Sequence, residues 1–326
     1  MKVAVLGAGA WGTALAKVLH QNGHAVTLWT RDAGTLTDIQ QSRRNERYLP
    51  GVDLPDGWIF EPDLRKAARG KDCVVFAVAS QGFRDVAAPL ADTDSILVSV
   101  TKGIEYDTGL TMCGVLRECA PRARPVALSG PTFAIEVARG MPTAIVAASG
   151  DAEARHTVQE IFHQPKFRVY RSNDLLGVEL GGALKNIIAI AAGVCDGLGF
   201  GDNSKAALIT RGVAEVRRLG VACGAQAETF AGLSGLGDLM VTCFSGQSRN
   251  RALGERAGRG EKMESLVRPG EKLAEGVPTA RSAYRLARKL NIETPIIDEV
   301  HAVLYEGKDA RRAVMDLLSR DIKAED

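Results

Sequence analysis

Between Leu175 and Cys195 only Glu179, Lys185 and Asn186 interrupt a run of apolar or small side chains. A lysine in such a setting is costly unless a partner or a ligand meets it. Gly181 and Gly182 precede Lys185 by four and three positions, and helical side chains lean back over the preceding turn. Lys185 is therefore expected to overlie a surface without side chains, leaving room for a ligand. Burial or a second lysine nearby would make its ammonium readier to exchange a proton near neutral pH. The plainer reading is a surface lysine that snorkels to water.

A second constellation lies near the start of the chain. Gly7-Ala8-Gly9-Ala10-Trp11-Gly12 is G-x-G-x-x-G between a β-branched run and a helical pattern. The first glycine suits a tight turn, the second a close approach to pyrophosphate, and the third close packing of helix on strand. The helix N-terminus then offers unpaired N–H groups to phosphates. An acid about 20 residues further on usually accepts the ribose hydroxyls of NAD. Here Thr30-Arg31-Asp32 occupies that stretch: Arg31 could pair with a 2′-phosphate, favouring NADP, while Asp32 could accept hydroxyls, favouring NAD. A solvated pair after a strand is the bland alternative.

Four further places suit a ligand. Gly246-Gln247-Ser248-Arg249-Asn250 reads as a loop feeding a helix that begins near Ser248, with amides, a hydroxyl and a guanidinium together. Taken alone it is equally an N-cap beside a solvated arginine. Glycines recur from Gly232 to Gly237 before Asp238, a spacing that suits backbone lying close to a ligand or simply a loop. Ser129-Gly130-Pro131-Thr132 and Lys102 each follow a strand end, where open α/β sheets bind ligands.

The elements that must position these residues are short, near-continuous apolar runs alternating with helical patterns. Strands are expected at Val3–Leu6, Ala25–Trp29, Cys73–Val78, Ile96–Val100, Val126–Leu128, Ala144–Ala147 and Phe167–Tyr170. Helices such as Trp11–Gln21 and Leu110–Cys119 lie between them. The alternation predicts a doubly wound, Rossmann-like, mostly parallel sheet over residues 1–173. From about Asp174 strand signals stop, and helical patterns at Leu175–Val194, Ser204–Leu219 and Thr279–Leu290 predict an all-helical domain over 174–326.

Composition removes several classes. Forty-one basic and 39 acidic residues leave a net charge of +2, which argues against a nucleic-acid binder working through a broad basic field. Six scattered cysteines form no C-x-x-C pair, so neither a disulfide scaffold nor a zinc site is expected, and reduced thiols fit a cytosolic protein. Val3 to Ala16 superficially resembles a signal peptide, but the glycines fall where a nucleotide turn needs them. The apolar run around Ile187 to Cys195 is too short to span a bilayer, so no membrane insertion is expected.

Taken together, the motifs resemble the bacterial-type NAD(P)-dependent glycerol-3-phosphate dehydrogenases over nearly the whole chain. They are Gly7–Ala14, Ser99–Glu105, Leu128–Ala134, Gly182–Asn186, Leu233–Leu239 and Ser248–Arg251, in the family's order. The resemblance implies a cytoplasmic homodimer that reversibly reduces dihydroxyacetone phosphate to sn-glycerol 3-phosphate for phospholipid synthesis, using NADP or NAD. It also implies that Lys185 is the catalytic lysine and that Lys102 touches both cofactor and substrate. Gly130, Thr132, Asp238, Ser248, Arg249 and Asn250 would hold substrate. Gly7, Gly9, Ala10, Trp11, Gly12, Arg31, Ala134, Arg249, Leu273 and Glu275 would contact cofactor. The rival readings are another two-domain dehydrogenase with a helical second domain, acting on a 3-hydroxy acid or a phosphogluconate, and a dinucleotide sensor without turnover.

Overall fold

The structure is a computed structural model describing residues 1–266 and 274–321. Ten strands precede the helical half: β1 (Lys2–Leu6), β2 (Ala25–Trp29), β3 (Arg44–Asn45), β4 (Leu49–Asp53), β5 (Ile59–Phe60), β6 (Cys73–Phe76), β7 (Ile96–Ser99), β8 (Arg124–Ser129), β9 (Thr143–Ala148) and β10 (Phe167–Ser172). Eight of them form one sheet in the order β10-β9-β8-β7-β6-β1-β2-β5, and β3 pairs with β4 apart from it. Every neighbouring pair in the large sheet is parallel except β8 with β9. The expected Rossmann-like sheet is there. Two strands end sooner than expected, at Phe76 and Ser99, although Val100 beyond the second is still buried.

Burial explains the unbroken runs. Val5, Val75, Val98 and Val126 are fully buried in one apolar core, each worth about 1.5–3 kcal/mol relative to exposure. Register then aligns the strand ends: Leu6 stands opposite Trp29 and Phe76, Phe76 opposite Ser99, and Ser99 opposite Ala127. Gly7, Arg31, Lys102 and Gly130 follow the carboxyl ends of β1, β2, β7 and β8. The strand order reverses at β1, which is where open α/β sheets bind nucleotides.

The chain divides into two compact units, residues 1–105 with 110–179 and residues 106–109 with 180–326. The division falls inside the helix Leu175–Gly197. That helix corrects one expectation. Its 23 residues are long and apolar enough to cross a membrane by length and composition, but the apolar window is 94% buried in the fold, as in a core helix.

In the second unit, helix Arg249–Gly258 packs on Leu175–Gly197 with backbones almost touching. A Cβ on Gly193 would stand 2.0 Å from the Arg251 carbonyl oxygen, and one on Gly254 would stand 1.9 Å from that of Ile190. Only glycine fits at either position. Arg251 Nε then reaches Asp196 Oδ2 at 2.6 Å, and Lys205 Nζ reaches Oδ1 at 2.5 Å. These contacts fix where the Ser248–Asn250 segment stands relative to Asn186.

Candidate active site

In the first unit the Gly7–Gly12 turn has the shape a dinucleotide needs. Gly7 has φ +119°, and a Cβ on it would lie 2.3 Å from the Ala77 carbonyl oxygen. A Cβ on Gly12 would lie 1.9 Å from the Gly7 carbonyl oxygen, whereas one on Gly9 would meet nothing within 4 Å. Helix Ala10–Gln21 starts after Gly9 without a side-chain cap, so its first amides lack a side-chain acceptor. Crowding at Gly7 and Gly12 with open space at Gly9 fits a pyrophosphate on the helix N-terminus. Ala10 and Trp11 are half-buried against the core beside it. Asn45, which sequence reasoning missed, braces this turn: its buried Nδ2 donates to the Ala8 carbonyl and to Thr13 Oγ1, each at 2.8 Å.

Beyond β2, Arg31 is exposed, and its Nη2 would lie 3.3 Å from a Cβ on Gly82. Asp32 caps helix Ala33–Ser42 through the amides of Gly34 and Thr35 and pairs with Arg47 at 2.9 Å. Its carboxylate is thus occupied by the protein rather than left open to ribose hydroxyls.

The strand-end residues of β7 and β8 converge on one carbonyl. Thr101 Oγ1 donates to the Val78 carbonyl at 2.7 Å and fixes the loop. Lys102 Nζ donates to the Gly130 carbonyl at 3.1 Å, and Thr132 Oγ1 donates to the same oxygen at 3.2 Å. Ala134 opens helix Ala134–Ala138, which packs on helix Ala10–Gln21.

In the second unit Lys185 is buried rather than snorkelling. Its Nζ lies 2.5 Å from Asp238 Oδ1 and donates to Thr242 Oγ1 at 2.6 Å, and Thr242 Oγ1 itself donates to the Asp238 carbonyl at 2.6 Å. Val213, Val216, Phe230 and Leu239 line the small cavity that Lys185 borders. Carboxylate and hydroxyl hold the charged amine where apolar walls would otherwise reject it. The expected bare surface is only partly open: Gly181 lines the same small cavity as Lys185. A Cβ on Gly181 would stand 2.8 Å from the Ser234 carbonyl oxygen, so backbone of the Leu233–Gly237 π-helical turn takes up the other part of that space.

Around the second helix start, Ser248 Oγ accepts from the Arg251 amide at 3.2 Å and so caps helix Arg249–Gly258. Asn250 is buried: its Nδ2 donates to Asn186 Oδ1, and its Oδ1 accepts from the Gly276 amide, both at 2.9 Å. Arg249 points outward, and among the described residues it has no ion-pair or hydrogen-bond partner. Half-buried Glu275 precedes helix Gly276–Lys289, while Leu273 lies outside the described residues.

Comparison with known proteins bears on both units. The family profiles for the NAD-dependent glycerol-3-phosphate dehydrogenase N-terminus and C-terminus match residues 2–155 and 174–315. A glycerol-3-phosphate dehydrogenase [NAD(P)+] of Syntrophotalea carbinolica is 51% identical over 331 aligned positions, covering 100% of this chain and 99% of the relative. The chain belongs to the glycerol-3-phosphate dehydrogenase family. Its Geobacter sulfurreducens relative of the same name is 50% identical, over 99% of this chain and 98% of its own. The crystal structure of glycerol-3-phosphate dehydrogenase from Coxiella burnetii superposes with a TM-score of 0.94 at 38% identity, covering 98% of this chain and 99% of that one.

Within this family fold, Thr242 joins Lys185 and Asp238 although no motif singled it out. Helical spacing carried the signal: Thr242 is one turn after Asp238 on helix Asp238–Phe244, hence on the same face.

Proposed function

We propose that the protein reduces dihydroxyacetone phosphate reversibly to sn-glycerol 3-phosphate with NADPH or NADH, supplying glycerophospholipid synthesis. The observation that carries this reading is the buried Lys185–Asp238–Thr242 cluster in a chain that resembles such enzymes along its entire length. Bound NAD(P)H supplies the hydride that reaches the carbonyl carbon. As it does, negative charge builds on the carbonyl oxygen, and the Lys185 ammonium stabilises that charge and transfers its proton. Asp238 and Thr242 hold Nζ in place, and the Asp238 carboxylate favours reprotonation of the amine for the next cycle. In the reverse direction the neutral amine takes the hydroxyl proton.

Arg249 with the helix N-terminus after Ser248 is assigned to the substrate phosphate, and Ser248 and Asn250 to shaping that site. Lys102, Gly130 and Thr132 are assigned to substrate contact. Lys102 also contacts cofactor, as do Gly7, Gly9, Ala10, Trp11, Gly12, Arg31, Ala134, Arg249, Leu273 and Glu275. The protein acts as a cytoplasmic homodimer, a state that light scattering on the purified protein tests. The free thiols among the described cysteines suit that compartment.

The direct experiment is NAD(P)H oxidation with dihydroxyacetone phosphate, 2-keto acids and unphosphorylated dihydroxyacetone compared. Turnover selective for the phosphorylated ketone is expected. A folded protein that binds NAD(P)H and turns over none of them would instead be a sensor.

A further inference from the structure

The geometry points to Arg47 as a second determinant of cofactor choice, joining Arg31 on the 2′-phosphate of NADPH while Asp32 holds its guanidinium in place. This rests on reading the Gly7–Gly12 turn as a dinucleotide site. Asp32 occupies the stretch where an NAD-selecting acid would stand, but its carboxylate is fully engaged. Oδ1 accepts from the Gly34 and Thr35 amides at 3.0 and 3.3 Å, and Oδ2 accepts from Thr35 Oγ1 at 2.8 Å and Arg47 Nη1 at 2.9 Å. A carboxylate has about four acceptor positions, so a ribose diol would have to displace a helix cap or the arginine. The acid therefore serves as an anchor, and its charge is matched by Arg47.

The placement of Arg47 follows from its neighbours. Asn45, two residues earlier, is locked to the Ala8 carbonyl of the glycine turn, and the Tyr48 amide donates back to Asn45 Oδ1 at 3.3 Å. One four-residue stretch thus touches the pyrophosphate turn and the corner after β2. Arg31 is exposed at that corner, and the Arg47 side chain is 64% exposed, so both are accessible to a ligand. A guanidinium presents a fork of five N–H groups; Nη1 donates to Asp32 Oδ2 and, at 3.4 Å, to Thr35 Oγ1, which orients the plane. Two such groups suit a dianionic phosphate far better than a hydroxyl. An ion pair this exposed adds little to folding, so its value here is positional.

The test is calorimetric titration with 2′-phospho-ADP-ribose and with ADP-ribose, for wild type, Arg47→Gln and Arg47→Lys. Arg47→Gln should weaken 2′-phospho-ADP-ribose about ten- to hundredfold, the worth of a hydrogen bond to a charged group, and leave ADP-ribose unchanged. Arg47→Lys should recover part of the loss, and the thermal midpoint should not move. Equal weakening of both ligands, or of neither, overturns the proposal. Because the titration needs no turnover, failure to reduce dihydroxyacetone phosphate would count against the proposed function alone.

Discussion

The ammonium of Lys185 lies 2.5 Å from Asp238 Oδ1, and both side chains are shut away from water. Two charges can be buried there because each neutralises the other, and Thr242 adds a hydrogen bond to the ammonium. Removing one partner strands the other. Asp238→Ala should therefore cost about 3–5 kcal/mol of unfolding free energy, as for other broken buried pairs. Urea denaturation reads this directly. A loss under about 1 kcal/mol, the scale of an exposed pair, would mean that the lysine escapes to solvent and is not held.

Arg249 stands exposed at the first position of its helix, beside amides that suit an anion. Arg249→Ala should raise KM for dihydroxyacetone phosphate about tenfold or more and leave the unphosphorylated ketone little changed. Cofactor affinity is measured in parallel, because Arg249 is also assigned to the nucleotide. If the preference for the phosphorylated ketone survives the change, the phosphate lies elsewhere.

Glu215 is buried and caps helix Pro295–Tyr305 by accepting from the amides of Ile296 and Ile297 at 2.9 and 2.8 Å. Burial pushes its carboxyl up from 4.5 to about 7, with Asp298 adding to the rise and the two amides and Arg218 opposing it. A raised folded value means that folding favours the protonated acid. Its contribution is full below 4.5 and is lost as pH rises through 7. Subtracting the stability profile of Glu215→Gln from that of wild type should reveal a fall of about 3 kcal/mol across this window. Parallel profiles for the two proteins would contradict the assignment.

The strands of the first unit were legible because a parallel strand buried on both faces reads as an unbroken apolar run, as at Val3–Leu6. β5 and the β3–β4 hairpin were not, since two-residue strands and a segment such as Leu49–Asp53, with Pro50 and Gly51, carry no periodic signal. The glycine turn was legible because its spacing encodes its geometry. How much space Gly181 leaves was not legible for the opposite reason: a bare helix surface looks alike in sequence whether a ligand or, in part, the Ser234 backbone fills it. Lys185 stood out by its apolar surroundings, but its pairing with Asp238, 53 residues away, is a product of tertiary packing. Asn45 and Arg47 gave no signal at all, because a polar loop looks solvated until its partners are known.

The central claim is that Lys185 is the proton donor, and kcat at saturating dihydroxyacetone phosphate tests it most directly. General acid catalysis is worth about 10²–10⁴-fold, so Lys185→Ala should lower kcat at least a hundredfold while NAD(P)H binding stays near normal. Lys185→Arg should not restore it, because a guanidinium does not release its proton. Lys102→Ala, measured beside it, should act mainly on KM, since Lys102 is assigned to positioning. A folded, cofactor-binding Lys185→Ala variant with near wild-type kcat would contradict the account and make Lys102 the donor to examine.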